Sequence, residues 1–139
     1  MLQIKKTEMD AQIPTRATKQ AAGADLKATK DYVIPAWGKA LVSTGIAIQP
    51  PTGTYGQVIG KSGLALHNNV MITGGVIDSD YRGEIGVIAF NLANQDFMIK
   101  KGEAIAQLIC IKIAIPEIVE VKELNTTERG EKGFGSSGV

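Results

Sequence analysis

A chain of 139 residues suits one domain and can bury about two-thirds of the surface its unfolded form exposes, so no disulfide or metal staple is required. Against 14 Asp and Glu stand 15 Lys and Arg, and a net charge of +1 excludes the broad positive field that would hold a polyanion; nucleic acid is not an expected partner. The single cysteine excludes a disulfide within the chain, and no apolar run has the length of a signal-peptide core or a membrane span. The expectation is a soluble intracellular protein of the cytoplasm or nucleus, or a virion-associated one if the source is viral.

The 16 glycines are spread along the chain and cut it into short apolar runs, the pattern of an all-β sandwich or barrel. In chain order, strands are expected at residues 24–28, 32–34, 39–42, 46–49 and 55–59, and then at 85–91, 97–100, 105–113 and 118–121. Pro50-Pro51-Thr52-Gly53 reads as one hairpin turn and Lys100-Lys101-Gly102-Glu103 as another. One short helix is expected at 62–68, where Leu64, Ala65 and Leu66 favour helix and Ser62 can cap the first turn. Cys110, inside an apolar run, reads as a buried small hydrophobe. Composition shifts after Leu124. Residues 1–124 are read as the folded domain and 125–139 as a mobile arm, because glycines and polar residues leave only Phe134 to anchor it.

Several chemistries can be set aside. Residues 56–62 resemble a phosphate-binding loop, but three residues separate the glycines where that loop needs four, and the helix that follows is too short. One histidine, His67, and one cysteine cannot close a zinc site without carboxylates, and His67 reads as a surface residue on a turn. Neither Ser62 nor Ser79 lies in a nucleophile elbow. Acid–base, metal and phosphate chemistry remain. Asp78 and Asp80 alternate with Ser79, so on an extended chain both carboxylates would face one side; a solvated hairpin would show the same pair.

Five segments resemble the motifs of the dUTPase family, in order and spacing: Ala22-Gly23-Ala24-Asp25-Leu26; Gly60-Lys61-Ser62-Gly63-Leu64-Ala65; the run 75–84 containing Asp78, Tyr81, Arg82 and Glu84; Gly102 to Leu108 with Gln107; and Arg129 to Gly138. The resemblance implies a jelly-roll-like β-barrel with one short helix and a flexible C-terminal arm. It also implies a homotrimer with active sites between subunits, and magnesium-dependent hydrolysis of dUTP to dUMP and pyrophosphate.

By that resemblance Asp78 orients and deprotonates the attacking water, a task for a carboxylate that is ionised at neutral pH. Tyr81 packs on the deoxyribose and disfavours a 2′-hydroxyl. Main-chain groups of a hairpin at 70–77, Gly75 and Ile77 among them, receive uracil, since glycine lets backbone approach a ligand closely. Lys61, Ser62 and Gly63 meet the phosphates, with Lys where many members have Arg; some retroviral members share this Gly-Lys-Ser form. Lysine keeps the charge but lacks a bidentate fork. Asp25 holds magnesium through its water shell and Gln107 lies near the phosphates. Phe134 stacks over uracil while Arg129, Gly135, Ser136 and Ser137 clamp the phosphates, so the arm works as a lid. Three other classes share some features. A dCTP deaminase has the same fold but needs a deaminating residue at the base pocket; a nucleotide-binding regulator would keep the site; a structural jelly roll would not need the arm.

Overall fold

The computed structural model describes residues 1–134, and these fold into eleven strands and one helix. In order they are β1 (Gln3–Lys6), β2 (Ala24–Lys27), β3 (Tyr32–Ile34), β4 (Lys39–Ser43), β5 (Ile46–Gln49), β6 (Thr54–Ile59), α1 (Ser62–Asn68), β7 (Val70–Thr73), β8 (Val76–Ile77), β9 (Gly86–Asn91), β10 (Phe97–Ile99) and β11 (Ala104–Lys112). Every pairing is antiparallel. The strands form four small sheets, ordered β1-β5, β10-β3, β2-β11-β6-β8 and β4-β9-β7, and among the described residues none closes on itself.

Three pairings are nested. β2 lies on β11, β3 on β10 and β4 on β9, so the early strands run antiparallel to the late ones as in a long ribbon rolled up. Period-two alternation drives this: in β9 the side chains of Val87, Ala89 and Asn91 are buried while their neighbours are half-exposed. Leu26, Ile34, Val42, Ile46, Ile85, Val87, Ile99, Ile105 and Leu108 fill the core, each contributing about 1.5–3 kcal/mol by burial. Asn91, the polar residue at its centre, is satisfied: Nδ2 donates to the carbonyls of Ile34 and Gln95, and Oδ1 accepts from Ala93 N–H.

Several sequence expectations are corrected here. The turns at Pro50–Gly53 and Lys100–Glu103 exist, but they do not close hairpins: β5 and β6 belong to different sheets, as do β10 and β11. The 70–77 segment is likewise no hairpin, because β7 pairs with β9 and β8 with β6. Ser62 is the first helical residue and not the cap; Lys61 holds the cap position in extended conformation, without a side-chain capping bond. Asn69 ends the helix in the left-handed conformation. Residues 118–121 alternate like a strand but have no partner and form none. The last strand ends at Lys112, ahead of the 124 boundary, and the described chain from there is exposed, with only Gly133 half-buried. Cys110 is half-buried, and its burial pushes the thiol up. No described helix is long and apolar enough to cross a membrane.

Candidate active site

The side chains singled out by the resemblance fall into two groups, at opposite ends of strand β6. The first gathers where β2, β11 and β6 run side by side. Gln107 on β11 pairs in register with Asp25 of β2 on one side and Ile59 of β6 on the other. Its Nε2 donates to the carbonyl of Gly60 at 3.0 Å, which fixes the backbone leading into α1. Gly23 is required beside it, since a Cβ there would lie 2.3 Å from the Gln107 side-chain oxygen. Lys61, the next residue, turns back so that Nζ lies 2.5 Å from Asp25 Oδ1, and both side chains are half-buried. Ser62 and Gly63 open the helix beside this pair; both are exposed, and Gly63 has open space around it. Asp25, Lys61, Ser62, Gly63 and Gln107 are therefore one cluster, in which strand register places Asp25 and Gln107 and the turn from β6 into α1 places the other three.

The second group lies past β8. The chain leaves β7 through Gly74, whose φ of +62° is a left-handed conformation suited to glycine. It then presses Gly75 against β6: Val58 N–H donates to the Gly75 carbonyl at 2.7 Å, and a Cβ on Gly75 would sit 1.9 Å from the Val58 carbonyl oxygen. Ile77 is buried and Asp78 is exposed just beyond it. The chain there turns instead of extending, with Tyr81 N–H donating to the Asp78 carbonyl, so Asp78 and Asp80 do not share a strand face. Tyr81 folds its ring over Gly83 and donates from its hydroxyl to the Glu84 carbonyl at 3.0 Å.

A cavity of about 450 Å³ opens here, lined by Val76, Ile77, Asp78, Tyr81 and Glu84 together with Leu41, Ser43, Gly86 and Ile88. Its lining is mostly apolar with the carboxylates of Asp78 and Glu84 among it, the make-up of a small-ligand site. Asp78 and Asp80 also border a neighbouring cavity with Tyr55 and Ile113.

Glu84 closes the 75–84 segment, and nothing local in the sequence points to a role for it. Its carboxylate accepts from Ser43 Oγ at 2.5 Å, from Gly45 N–H at 3.2 Å and from Thr7 Oγ1 at 3.1 Å. Partial burial pushes Glu84 up, but the bonds from Ser43, Gly45, Thr7 and Thr44 outweigh it and hold the carboxyl below its ordinary value.

One chain does not unite the two groups. Ile77 pairs with Gly56 on β6, which puts Asp78 level with Tyr55, six residues before Lys61. At about 3.3 Å per residue that is roughly 15–20 Å. Neither cavity bordered by Asp78 includes Asp25, Lys61, Ser62 or Gln107. On the arm, Arg129 Nε donates to the Lys132 carbonyl, and Phe134 is fully exposed with a φ of +52°. Gly135 and Ser136, with Ser137, lie outside the described residues.

A family model described as dUTPase matches residues 9–138. The chain belongs to the dUTPase family. Deoxyuridine 5′-triphosphate nucleotidohydrolase of Oryza sativa subsp. japonica is 48% identical over 139 residues, covering 100% of this chain and 81% of the relative. Among solved structures, a mutant dUTPase of Staphylococcus bacteriophage 80alpha with dUpNHpp superposes with a TM-score of 0.93 at 31% identity, covering 100% of this chain and 99% of that one. A mutant dUTPase from phage phi11 of S. aureus, described with a coordinated structural Mg(II) ion, has a TM-score of 0.82 at 26% identity, covering 88% of this chain and 97% of that one. As a dUTPase, this protein is an enzyme that hydrolyses dUTP, and the mostly β fold with one short helix is that of the family.

Proposed function

We propose that the protein converts dUTP to dUMP and pyrophosphate as a homotrimer whose active sites combine residues of different copies. The separation of Asp78 from the Asp25–Lys61–Gln107 cluster carries this reading. A base that delivers water to phosphorus must act at about 3–3.5 Å, and a second copy can bring the phosphate-binding cluster to the Asp78 cavity. Exposed Ile113, Ile115, Ile118, Val119, Val121 and Leu124 support the same assembly, because a neighbouring copy would cover a strip that one chain leaves in water. The nested pairing of β2, β3 and β4 with β11, β10 and β9 supports a jelly-roll barrel.

In this mechanism uracil meets the main chain of residues 74–77 and Tyr81 packs on the deoxyribose, leaving no room for a 2′-hydroxyl. Asp78 accepts a proton from a water that attacks the α-phosphorus in line, and pyrophosphate departs. Lys61, Ser62 and Gly63 bind phosphate oxygens, with Lys61 as a point charge. Among the described residues no group of three His, Cys, Asp or Glu could cage a metal, and the cluster holds one carboxylate, Asp25. That donor set fits magnesium, which keeps its waters and takes its remaining ligands from a triphosphate. Asp25 would hold the ion through its waters, with Gln107 beside it, and the bound ion offsets triphosphate charge. The arm from 125 to 139 then closes, Phe134 over uracil and Arg129, Gly135 and Ser136 on the phosphates, excluding water. Such an enzyme keeps uracil out of DNA and supplies dUMP for thymidylate synthesis.

Pyrophosphate release from dUTP, dCTP, dTTP and UTP tests the reading, with the full chain compared with Asp78→Asn and with a chain ending at Asn125. Release from dUTP alone, lost in both variants, supports it. Equal release from all four, or none from dUTP, overturns it.

A further inference from the structure

We infer that Glu84 is a positioning residue that sets the shape of the deoxyribose pocket by tethering the turn carrying Asp78 and Tyr81. The inference rests on the roles proposed for those two residues. Tyr81 places its ring through one hydroxyl bond, to the main-chain carbonyl of Glu84. The ring therefore goes where the Glu84 backbone is held. The same peptide group is held on its far side by Ile85 N–H, which donates to the Ile46 carbonyl at 2.8 Å, and the Glu84 side chain adds the second hold, reaching across to Ser43 at the end of β4, to Gly45 in the corner before β5, and to Thr7 after β1.

Among the described residues, the other side-chain hydrogen bonds of the 78–84 segment stay inside it, from Arg82 Nη1 to the carbonyls of Ser79 and Tyr81. Asp78 is exposed, and Tyr81, its ring lying on Gly83, is 45% exposed. Glu84 is thus the side-chain tie between this turn and the sheets behind it. Three charge-assisted bonds on one carboxylate make a firm tie. Ser43 has one hydroxyl proton and stands between two carboxylates, Glu84 at 2.5 Å and Glu8 at 3.0 Å, so the shorter bond defines where it points. Displacing the Tyr81 ring by even 1 Å opens space beside the sugar, where exclusion of a 2′-hydroxyl depends on contact.

The test measures kcat/KM for dUTP and for UTP, with thermal melting, in the wild-type protein, Glu84→Ala and Glu84→Gln. Glu84→Ala is expected to lose about tenfold to a hundredfold in kcat/KM for dUTP and to narrow the preference for dUTP over UTP. Glu84→Gln is expected to restore most of both, because its amide oxygen can accept from Ser43 and Gly45 while its NH₂ donates to the Thr7 hydroxyl. A merely structural role would lower the melting temperature and leave the dUTP-to-UTP ratio unchanged, which overturns the inference. Should Glu84→Ala not fold, Ser43→Ala removes the shortest of the three bonds and is read by the same ratio. A wild-type protein inactive on dUTP defeats the reading of the site itself, an outcome distinct from an active enzyme whose selectivity ignores Glu84.

Discussion

Lys61 Nζ lies 2.5 Å from Asp25 Oδ1, so the cation assigned to the phosphates and the carboxylate assigned to their metal ion are paired with each other. A triphosphate and its ion must compete with this pair, and each partner gains a new one when they bind. Lys61→Gln is expected to lower kcat/KM for dUTP by roughly tenfold to a hundredfold, the worth of a hydrogen bond to a charged group at about 1.5–3 kcal/mol. Lys61→Arg should keep most of the activity. Asp25→Asn should raise the magnesium concentration needed for half-maximal rate. Titrating magnesium at fixed dUTP checks all three variants, and an unchanged magnesium dependence in Asp25→Asn would remove that residue from the metal.

Gly75 is a second point of leverage. A methyl group there cannot coexist with the Val58 carbonyl at 1.9 Å, and the obstacle is backbone, which cannot swing aside as a flexible side chain would. Gly75→Ala must push β8 away from β6 and move Ile77 and Asp78 with it. The expected cost is at the upper end of the 1–3 kcal/mol typical of overpacking, with loss of dUTP hydrolysis. Urea unfolding and a rate assay on the same preparation check it. Gly63→Ala, with nothing near its Cβ, should leave stability almost unchanged.

Acid stability reports on Glu84. Its folded-state pKa is lowered, so the group contributes stability that is fully present above its ordinary value of 4.5 and is lost as pH falls through the folded value. The wild-type melting temperature should therefore drop more steeply below about pH 4.5 than that of Glu84→Gln, with the two curves differing least at the acid end. Parallel melting curves from pH 7 to pH 3 would show that the hydrogen bonds to this carboxylate add nothing to its charged form.

Asn91 makes the sharpest stability prediction in the core. Asn91→Ala leaves the carbonyls of Ile34 and Gln95 and the N–H of Ala93 without their partner, at a cost of about 1–3 kcal/mol. Asn91→Asp should cost at least as much, because it aims a second acceptor at two carbonyls. Chemical denaturation ranks the pair, and a milder effect for Asp would show that water enters the site.

Much of the strand pattern was legible because the apolar runs are short and punctuated by glycine: β2 to β6 and β9 to β11 lie within two residues of their expected bounds. β1 was not, since Gln3-Ile4-Lys5-Lys6 has almost no apolar alternation and is a strand only because β5 offers it an edge. Residues 118–121 fail for the opposite reason: the alternation is there and the partner strand is not. The proline and lysine turns read as hairpins because neighbours in sequence usually pair, whereas here β5 pairs with β1, β6 with β11 and β10 with β3. In the site, Asp25, Lys61 and Gln107, which the resemblance names in three separate segments, are brought together by strand register and by the turn into α1. The Glu84 contacts could not be read, because Ser43 and Thr7 are distant in sequence and carry no motif.

The same rolled ribbon governs how the protein comes into being. Lys27 on β2 waits for Ala104 on β11, and Lys39 on β4 waits for Phe90 on β9. At roughly 5–20 residues per second of synthesis, the first strands spend on the order of seconds as unpaired edges on the ribosome. Contacts this far apart in sequence also make for slow folding. Lys27 on β2 and Lys39 on β4 put charge on those waiting edges, and charged side chains on an open edge disfavour edge-to-edge association.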